Sequence, residues 1–108
     1  MSVVPAVAVV LSTFPNAEAA STAARTLVEE RLCACVNIVP GVRSIYVWDG
    51  KLCDEQEVLA VIKTTTDRAD SLKTRLLAIH PYDVPEVLEL DATASPAYLA
   101  WVQGAVTT

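Results

Sequence analysis

The chain is poor in the residues on which most nucleotide-binding and hydrolytic motifs depend. It holds only three glycines, Gly41, Gly50 and Gly104, in 108 residues, so neither a dinucleotide fingerprint nor a Walker-type phosphate loop can be written in it. One histidine, His80, is present, and any Ser-His-Asp or Cys-His arrangement would have to share it; no nucleophile elbow occurs. Basic residues are scarce. Eight Lys and Arg stand against thirteen Asp and Glu, a net charge of -5, with no basic cluster larger than two. Nucleic acid is therefore not the expected partner, because phosphate contacts need a positive surface. Long apolar runs are also missing: the stretch Val3 to Leu11 is broken by Pro5 and has no basic leader, and it falls well short of the roughly 20 residues that span a bilayer. The expectation is a cytoplasmic protein with no membrane partner. Three cysteines, Cys33, Cys35 and Cys53, are an odd number in a chain without a secretion signal and argue against a disulfide scaffold.

What is abundant is apolar surface. Hydrophobic residues make up 53% of the chain while 6% are aromatic and 19% charged, which is too apolar for disorder. The length suits one domain, residues 1–108, and a chain of this size buries only roughly two thirds of its extended surface. Either the core is rich in alanine, or some apolar surface is meant for a partner.

No linker, repeat or low-complexity segment divides the chain. Ala6 to Ser12 is a β-branched run that suits a strand buried on both faces, stopped by Pro15 and Asn16. A helix follows to about Leu32, with Asn16 as N-cap, Glu18 in its first turn and Ala20, Ala24, Leu27, Val28 and Leu32 on one face. Val36 to Trp48 reads as extended, with a bulge or bend at Pro40-Gly41. Asp49-Gly50 is the strongest turn signal, and Glu57 to Thr65 is the returning strand. A second helix opens with Asp67 as N-cap and Asp70 in a capping-box-like position, and its inner face is Ala69, Leu72, Leu76 and Leu77; Pro81 and Pro85 close it. Val87 to Leu90 is a fourth strand, and Ser95-Pro96 opens a short last helix with Leu99 and Val102 inward.

The order is β-α-β-β-α-β-α, an α+β chain in which βαββαβ is the ferredoxin-like split unit with a helix appended. Right-handed crossovers put both long helices on one face of an antiparallel sheet. The other face ought to be wet, yet both faces of the central hairpin are apolar: Val58, Ala60 and Ile62 alternate with Leu59 and Val61, and Tyr46 and Trp48 with Ile45 and Val47. The long strand, at roughly 3.3 Å per residue, would reach ~43 Å, whereas a domain of this size has a radius of gyration near ~13 Å. The hairpin must bend or overhang, and a symmetric homo-oligomer covering Ile45, Val47, Leu59 and Val61 is the economical solution. A monomer with a bent hairpin is the alternative.

Chemistry-bearing residues are few. Cys33-Ala-Cys35 lacks the second pair of a zinc site and reads as buried small hydrophobes. Cys53 with Asp54, Glu55 and Glu57 offers mixed sulfur and oxygen ligands, although an acidic strand start is more often a solvated edge. His80-Pro81-Tyr82-Asp83-Val84-Pro85-Glu86 gathers an imidazole, a phenol and two carboxylates on a loop stiffened by two prolines, either as a site or as a connector whose His caps the helix before it. Lys63, deep in an apolar strand, needs a partner, with Glu86, Glu57 and Asp83 as candidates. Tyr46 and Trp48 read as core or interface residues, core being the default.

Taken together, Ser12-Thr13-Phe14-Pro15, Leu32-Cys33-Ala34-Cys35-Val36-Asn37, Pro40-Gly41, Ser44-Ile45-Tyr46-Val47-Trp48-Asp49-Gly50-Lys51, Glu55 with Glu57, Lys63-Thr64, and His80-Pro81-Tyr82 with Pro85-Glu86 resemble the CutA divalent-cation tolerance family over nearly the whole chain. The resemblance implies a ferredoxin-like homotrimer with a long hairpin shared between subunits, similar in shape to PII signalling proteins, cytoplasmic and without enzymatic activity. It implies tolerance to divalent metals, copper above all, with copper or zinc as the bound ion and no organic cofactor. The family's metal contacts map onto His80; Ser12 stands where other members have cysteine, and Ile79 where some have a second histidine, which removes soft ligands. A polar inter-subunit pocket maps onto Tyr46, Trp48, Glu57, Lys63, Tyr82 and Glu86, a set suited to a small anionic or zwitterionic ligand as well as a metal. A PII-like adaptor that binds a small metabolite there is the second functional expectation.

Overall fold

The computed structural model describes residues 6–107; the part of the Val3 to Leu11 run that precedes Ala6 lies outside them. The elements are β1 (Val7–Phe14), α1 (Ala17–Glu29), β2 (Cys35–Trp48), β3 (Lys51–Thr65), α2 (Ala69–Ile79), β4 (Leu88–Ala92) and α3 (Pro96–Val106). The strands form one sheet in the order β2-β3-β1-β4, every neighbouring pair antiparallel, which is the ferredoxin-like arrangement with α3 added. No helix among the described residues is long and apolar enough to cross a membrane.

Local chemistry accounts for most boundaries. The Asn16 side chain accepts the Ala19 amide at 2.8 Å and starts α1, and the Ser95 hydroxyl accepts the Tyr98 amide at 3.3 Å, with proline in the first turn of α3. Asp49 and Gly50 both take positive φ, 53° and 73°, as a two-residue hairpin turn requires. Two helix ends depart from expectation. α1 stops at Glu29 rather than near Leu32 because Arg31 turns left-handed (φ 58°), while Leu32 N–H bonds to Leu27 carbonyl and Arg31 N–H to Val28 carbonyl. That is a Schellman closure made with arginine where glycine is usual. Asp67 does not cap α2: it lies in the turn before it, and the N-cap is Arg68, which makes no side-chain cap bond. On the helix faces, Ala23 rather than Val28 is buried in α1, and Leu77 of α2 is 54% exposed.

The core lies between α1, α2 and one face of the sheet. Val10 and Phe14 of β1 and Val58, Ala60 and Ile62 of β3 meet Ala20, Ala23 and Leu27 of α1 and Leu72 and Leu76 of α2. Alanines on α1 let that helix approach closely. Cys33 joins this cluster at 1% exposed, and burial pushes its thiol up to about 12, so it packs as a small hydrophobe. α3 lies against β3 and turns Val102 and Val106 inward.

The returning strand begins at Lys51, not Glu57. Only its second half, Val58 to Thr65, pairs with β1; Lys51 to Glu57 pairs with β2 alone. The hairpin therefore overhangs the sheet by about seven residues, roughly 24 Å, and stretches the molecule to 48 Å along its longest axis. The register of β2 on β3 shifts between Val39 and Val42, which places a bulge at Pro40-Gly41, where Gly41 takes φ 80°. This extra residue has a large effect on sidedness. Before it, Asn37 and Val39 pair with Val61 and Leu59; after it, Val42, Ser44 and Tyr46 pair with Glu57, Glu55 and Cys53. Directly paired residues share a face, so Tyr46 and Trp48 join Leu59 and Val61, while Ile45 and Val47 pass to the side of Val58 and Ile62. The expected grouping of Ile45, Val47, Leu59 and Val61 on one face does not hold, because alternation carried straight across the bulge misses the inversion.

Candidate functional site

One cleft of about 390 Å³ gathers most of the expected site. It is lined by Thr13, Tyr46, Trp48, Glu55, Glu57, Tyr82, Asp83, Val84 and Glu86. Its floor is the face of the sheet opposite α1 and α2: Thr13 sits opposite Leu59, and beyond the bulge Tyr46, Trp48, Glu55 and Glu57 share that side. Its wall is the stiff loop between α2 and β4.

His80 anchors that loop. It is 8% exposed, stacks on Phe14 with ring centroids 4.3 Å apart, and its Nε2–H donates to the Thr13 carbonyl at 2.9 Å while Nδ1 accepts the Tyr82 amide at 3.1 Å. This hydrogen-bond network assigns the neutral Nε2–H tautomer. Burial holds its pKa below the usual imidazole value, against the opposing pull of the Thr13 carbonyl and the Glu57 charge. The loop so fixed delivers Tyr82, whose hydroxyl donates to Glu57 Oε2 at 2.7 Å. Burial first, then this carboxylate, raises the Tyr82 pKa, so the phenol stays protonated as the donor. Tyr46 is raised in the same direction by burial and by Glu55.

Tyr46, Trp48, Glu57, Tyr82 and Glu86 thus meet in one place; Lys63 does not. It lies six residues along β3 from Glu57, roughly 20 Å, opposite Cys35 and Val9. None of its candidate carboxylates reaches it: its ammonium bonds to the Asn37 amide oxygen and lies 3.9 Å from the Cys35 sulfur. Ser12 is completely buried on the helix side of β1, away from the cleft, its hydroxyl without a partner. Ile79 packs against the core. Sequence reasoning had no means of placing Thr13 and Val84 on the lining, and it offered Glu55 as an oxygen ligand beside Cys53 and Asp83 as a partner for Lys63 rather than as walls of one cleft. The Glu55-x-Glu57 alternation carries the signal once the strand is known to start at Lys51.

The donor set does not fit a soft-metal centre within one chain. Both His80 nitrogens are engaged, the Cys33 thiol is buried and protonated, and among the described residues no group of three His, Cys, Asp or Glu is placed to hold an ion.

Comparison with known proteins agrees with the fold and with the motifs. The divalent-cation tolerance protein CutA of Thermus thermophilus is 52% identical over 96 residues, 88% of this chain and 93% of that one. The chloroplastic CutA protein of Arabidopsis thaliana is 46% identical over 88% of this chain, which spans about half (53%) of that longer relative. The crystal structure of the divalent ion tolerance protein CutA1 from Ehrlichia chaffeensis superposes with a TM-score of 0.93 at 30% identity, covering 98% of this chain and 100% of that one. The family model described as CutA1 divalent ion tolerance protein matches residues 8–105, and the chain belongs to that family.

Proposed function

We propose that this chain acts as a non-enzymatic, cytoplasmic homotrimer that binds divalent ions of the copper type and contributes to tolerance of them. The observation that supports assembly is the overhanging ribbon. A two-stranded ribbon is marginal in water by itself, yet the face of this one turned away from the cleft exposes Ile45 (62%), Val47 (68%) and Leu52 (75%), so a second copy that covers that face removes a large apolar liability of the fold. Assembly also brings cleft carboxylates from more than one subunit within reach of one ion, which a single chain does not achieve. His80 can serve as a ligand only by giving up the Tyr82 amide at Nδ1 or the Thr13 carbonyl at Nε2.

The test has two arms. Sedimentation at micromolar concentration should give the mass of a trimer, and calorimetry with copper and zinc salts should show binding that His80→Ala weakens. In cells, loss of the gene should increase sensitivity to added copper. A monomer in solution, or a trimer that takes up neither metal and leaves copper sensitivity unchanged, overturns this reading.

A further inference from the structure

The cleft carries charge of one sign. Glu55, Glu57, Asp83 and Glu86 line it, and no Lys or Arg does; with Lys63 elsewhere, the anionic ligand expected of an aromatic, Lys-Glu pocket has nothing to bind to. Exposed carboxylates alone would mean little, since water solvates them. Glu57 is different. It is 9% exposed, Tyr82 satisfies only Oε2, and Oε1 has neither a hydrogen-bond donor nor an ion-pair partner among the described residues. A carboxylate this little exposed as a residue, with only one of its oxygens satisfied by the protein and with its side chain on the lining of the cleft, is a preferred acceptor for a cation that enters there.

The shape indicates which kind of cation. A bare divalent ion needs several oxygens converging at about 2.0–2.6 Å, and no such group exists among the described residues. The space, about 390 Å³, is far larger than an ion and falls in the range of small-molecule sites. Three aromatic side chains, Tyr46, Trp48 and Tyr82, line it next to the carboxylates, and aromatic faces attract organic cations while covering an aliphatic stem. An ammonium group tolerates dispersed acceptors at ordinary hydrogen-bond lengths.

We propose that this cleft is a site for organic ammonium compounds: one N–H goes to Glu57 Oε1, the carbon chain lies on Tyr46 and Trp48, and in a diamine the second ammonium reaches the rim carboxylates Asp83 and Glu86. The proposal names a ligand class for the same cleft in which the preceding section places metal contacts, and it does not depend on metal binding. His80 and Thr13 act behind it by fixing the loop that holds Tyr82.

The probes are putrescine and n-butylammonium, titrated calorimetrically into the purified full-length protein in phosphate buffer, with glutarate as a dicarboxylate of similar length. Both amines should release heat and change tryptophan fluorescence, putrescine binding the tighter, while glutarate does neither. Glu57→Gln should weaken both amines by at least about tenfold, as expected when one partner of a desolvated charge pair is removed. Glu86→Gln, at an exposed position, keeps the test valid if the first variant folds poorly; it should weaken putrescine by a few fold and butylammonium less. No binding of either amine into the millimolar range, unchanged affinity in both variants, or glutarate binding in place of amines overturns the proposal. A trimer that binds copper but neither amine defeats this inference alone; a protein that binds amines but neither metal defeats the metal reading and leaves this one standing.

Discussion

Between Val58 and Thr65, β3 pairs with β1 and, from Leu59 to Lys63, with β2 as well, and α1 and α2 cover one of its faces; between Lys51 and Glu57 the same strand has only β2 beside it. The open half is much the more polar, KLCDEQE against VLAVIKTT, yet the apolar side chain it does carry is left uncovered: Leu52 is 75% exposed where Ala60 and Ile62 are 1%. What differs is the number of neighbours the topology supplies. Burial in the closed half is intramolecular and sets the stability of the subunit, whereas the open half carries apolar area that only another molecule can cover. The cleft sits at the border, taking Glu57 from the last buried position and Tyr46 and Trp48 from the open ribbon.

This contrast can be broken from the closed side first. Phe14→Ala removes a ring that is 1% exposed and stacks on His80, and should cost about 3–5 kcal/mol in urea unfolding. A loss below about 1 kcal/mol would show that the closed half is not the seat of stability. From the open side, Ile45→Thr combined with Leu52→Ser should leave the melting of the subunit within about 0.5 kcal/mol per site while shifting the sedimenting mass toward monomer. An unchanged mass would mean that the ribbon is not the contact. At the border, protonation is the probe. Burial depresses the His80 pKa in the folded chain, so near and below its ordinary value of ~6.5 the unfolded chain takes up the proton more readily. Stability should therefore fall as pH drops through that value and level off below the folded pKa, and His80→Gln should remove that component. A pH-independent wild type between 8 and 5, as measured by urea midpoints at about unit intervals, would contradict the buried, neutral imidazole. The smallest effect belongs to the end of α1: Arg31→Gly should raise stability by about 0.5–1 kcal/mol by relieving a left-handed arginine. A loss instead would give more weight to the bond from the Arg31 guanidinium to the Thr107 carbonyl.

Features governed by one residue and its near neighbours were legible in the sequence. Asn16, Asp49-Gly50 and Ser95-Pro96 act within a few residues, and the structure uses each as its chemistry suggests. The end of α1 was not legible because its left-handed residue is arginine, and nothing in the sequence distinguishes Arg31 from a helical one. Asp67 looked like a cap but sits one residue too early. In the cleft, the motifs around Trp48 and His80 pointed to the right side chains, but their geometry depends on long-range pairing. Lys63 groups with Glu57 in the sequence although six positions along β3 separate them, Glu57 lying in the overhang and Lys63 in the half paired with β1, and the role of His80 as a loop anchor follows from contacts to Thr13 and Phe14, 67 positions away in the case of Thr13.

The bulge at Pro40-Gly41 also bears on how this hairpin can change length. A single residue gained or lost in β2 between Gly41 and Trp48 would turn Tyr46 and Trp48 away from Glu55 and Glu57 and present Ile45 and Val47 in their place. Two residues added to each strand would keep every side chain on its own side and merely extend the ribbon by about 7 Å. Variants of this fold should therefore differ in hairpin length by even steps on matched strands, and an odd step should survive only where a second bulge restores the phase.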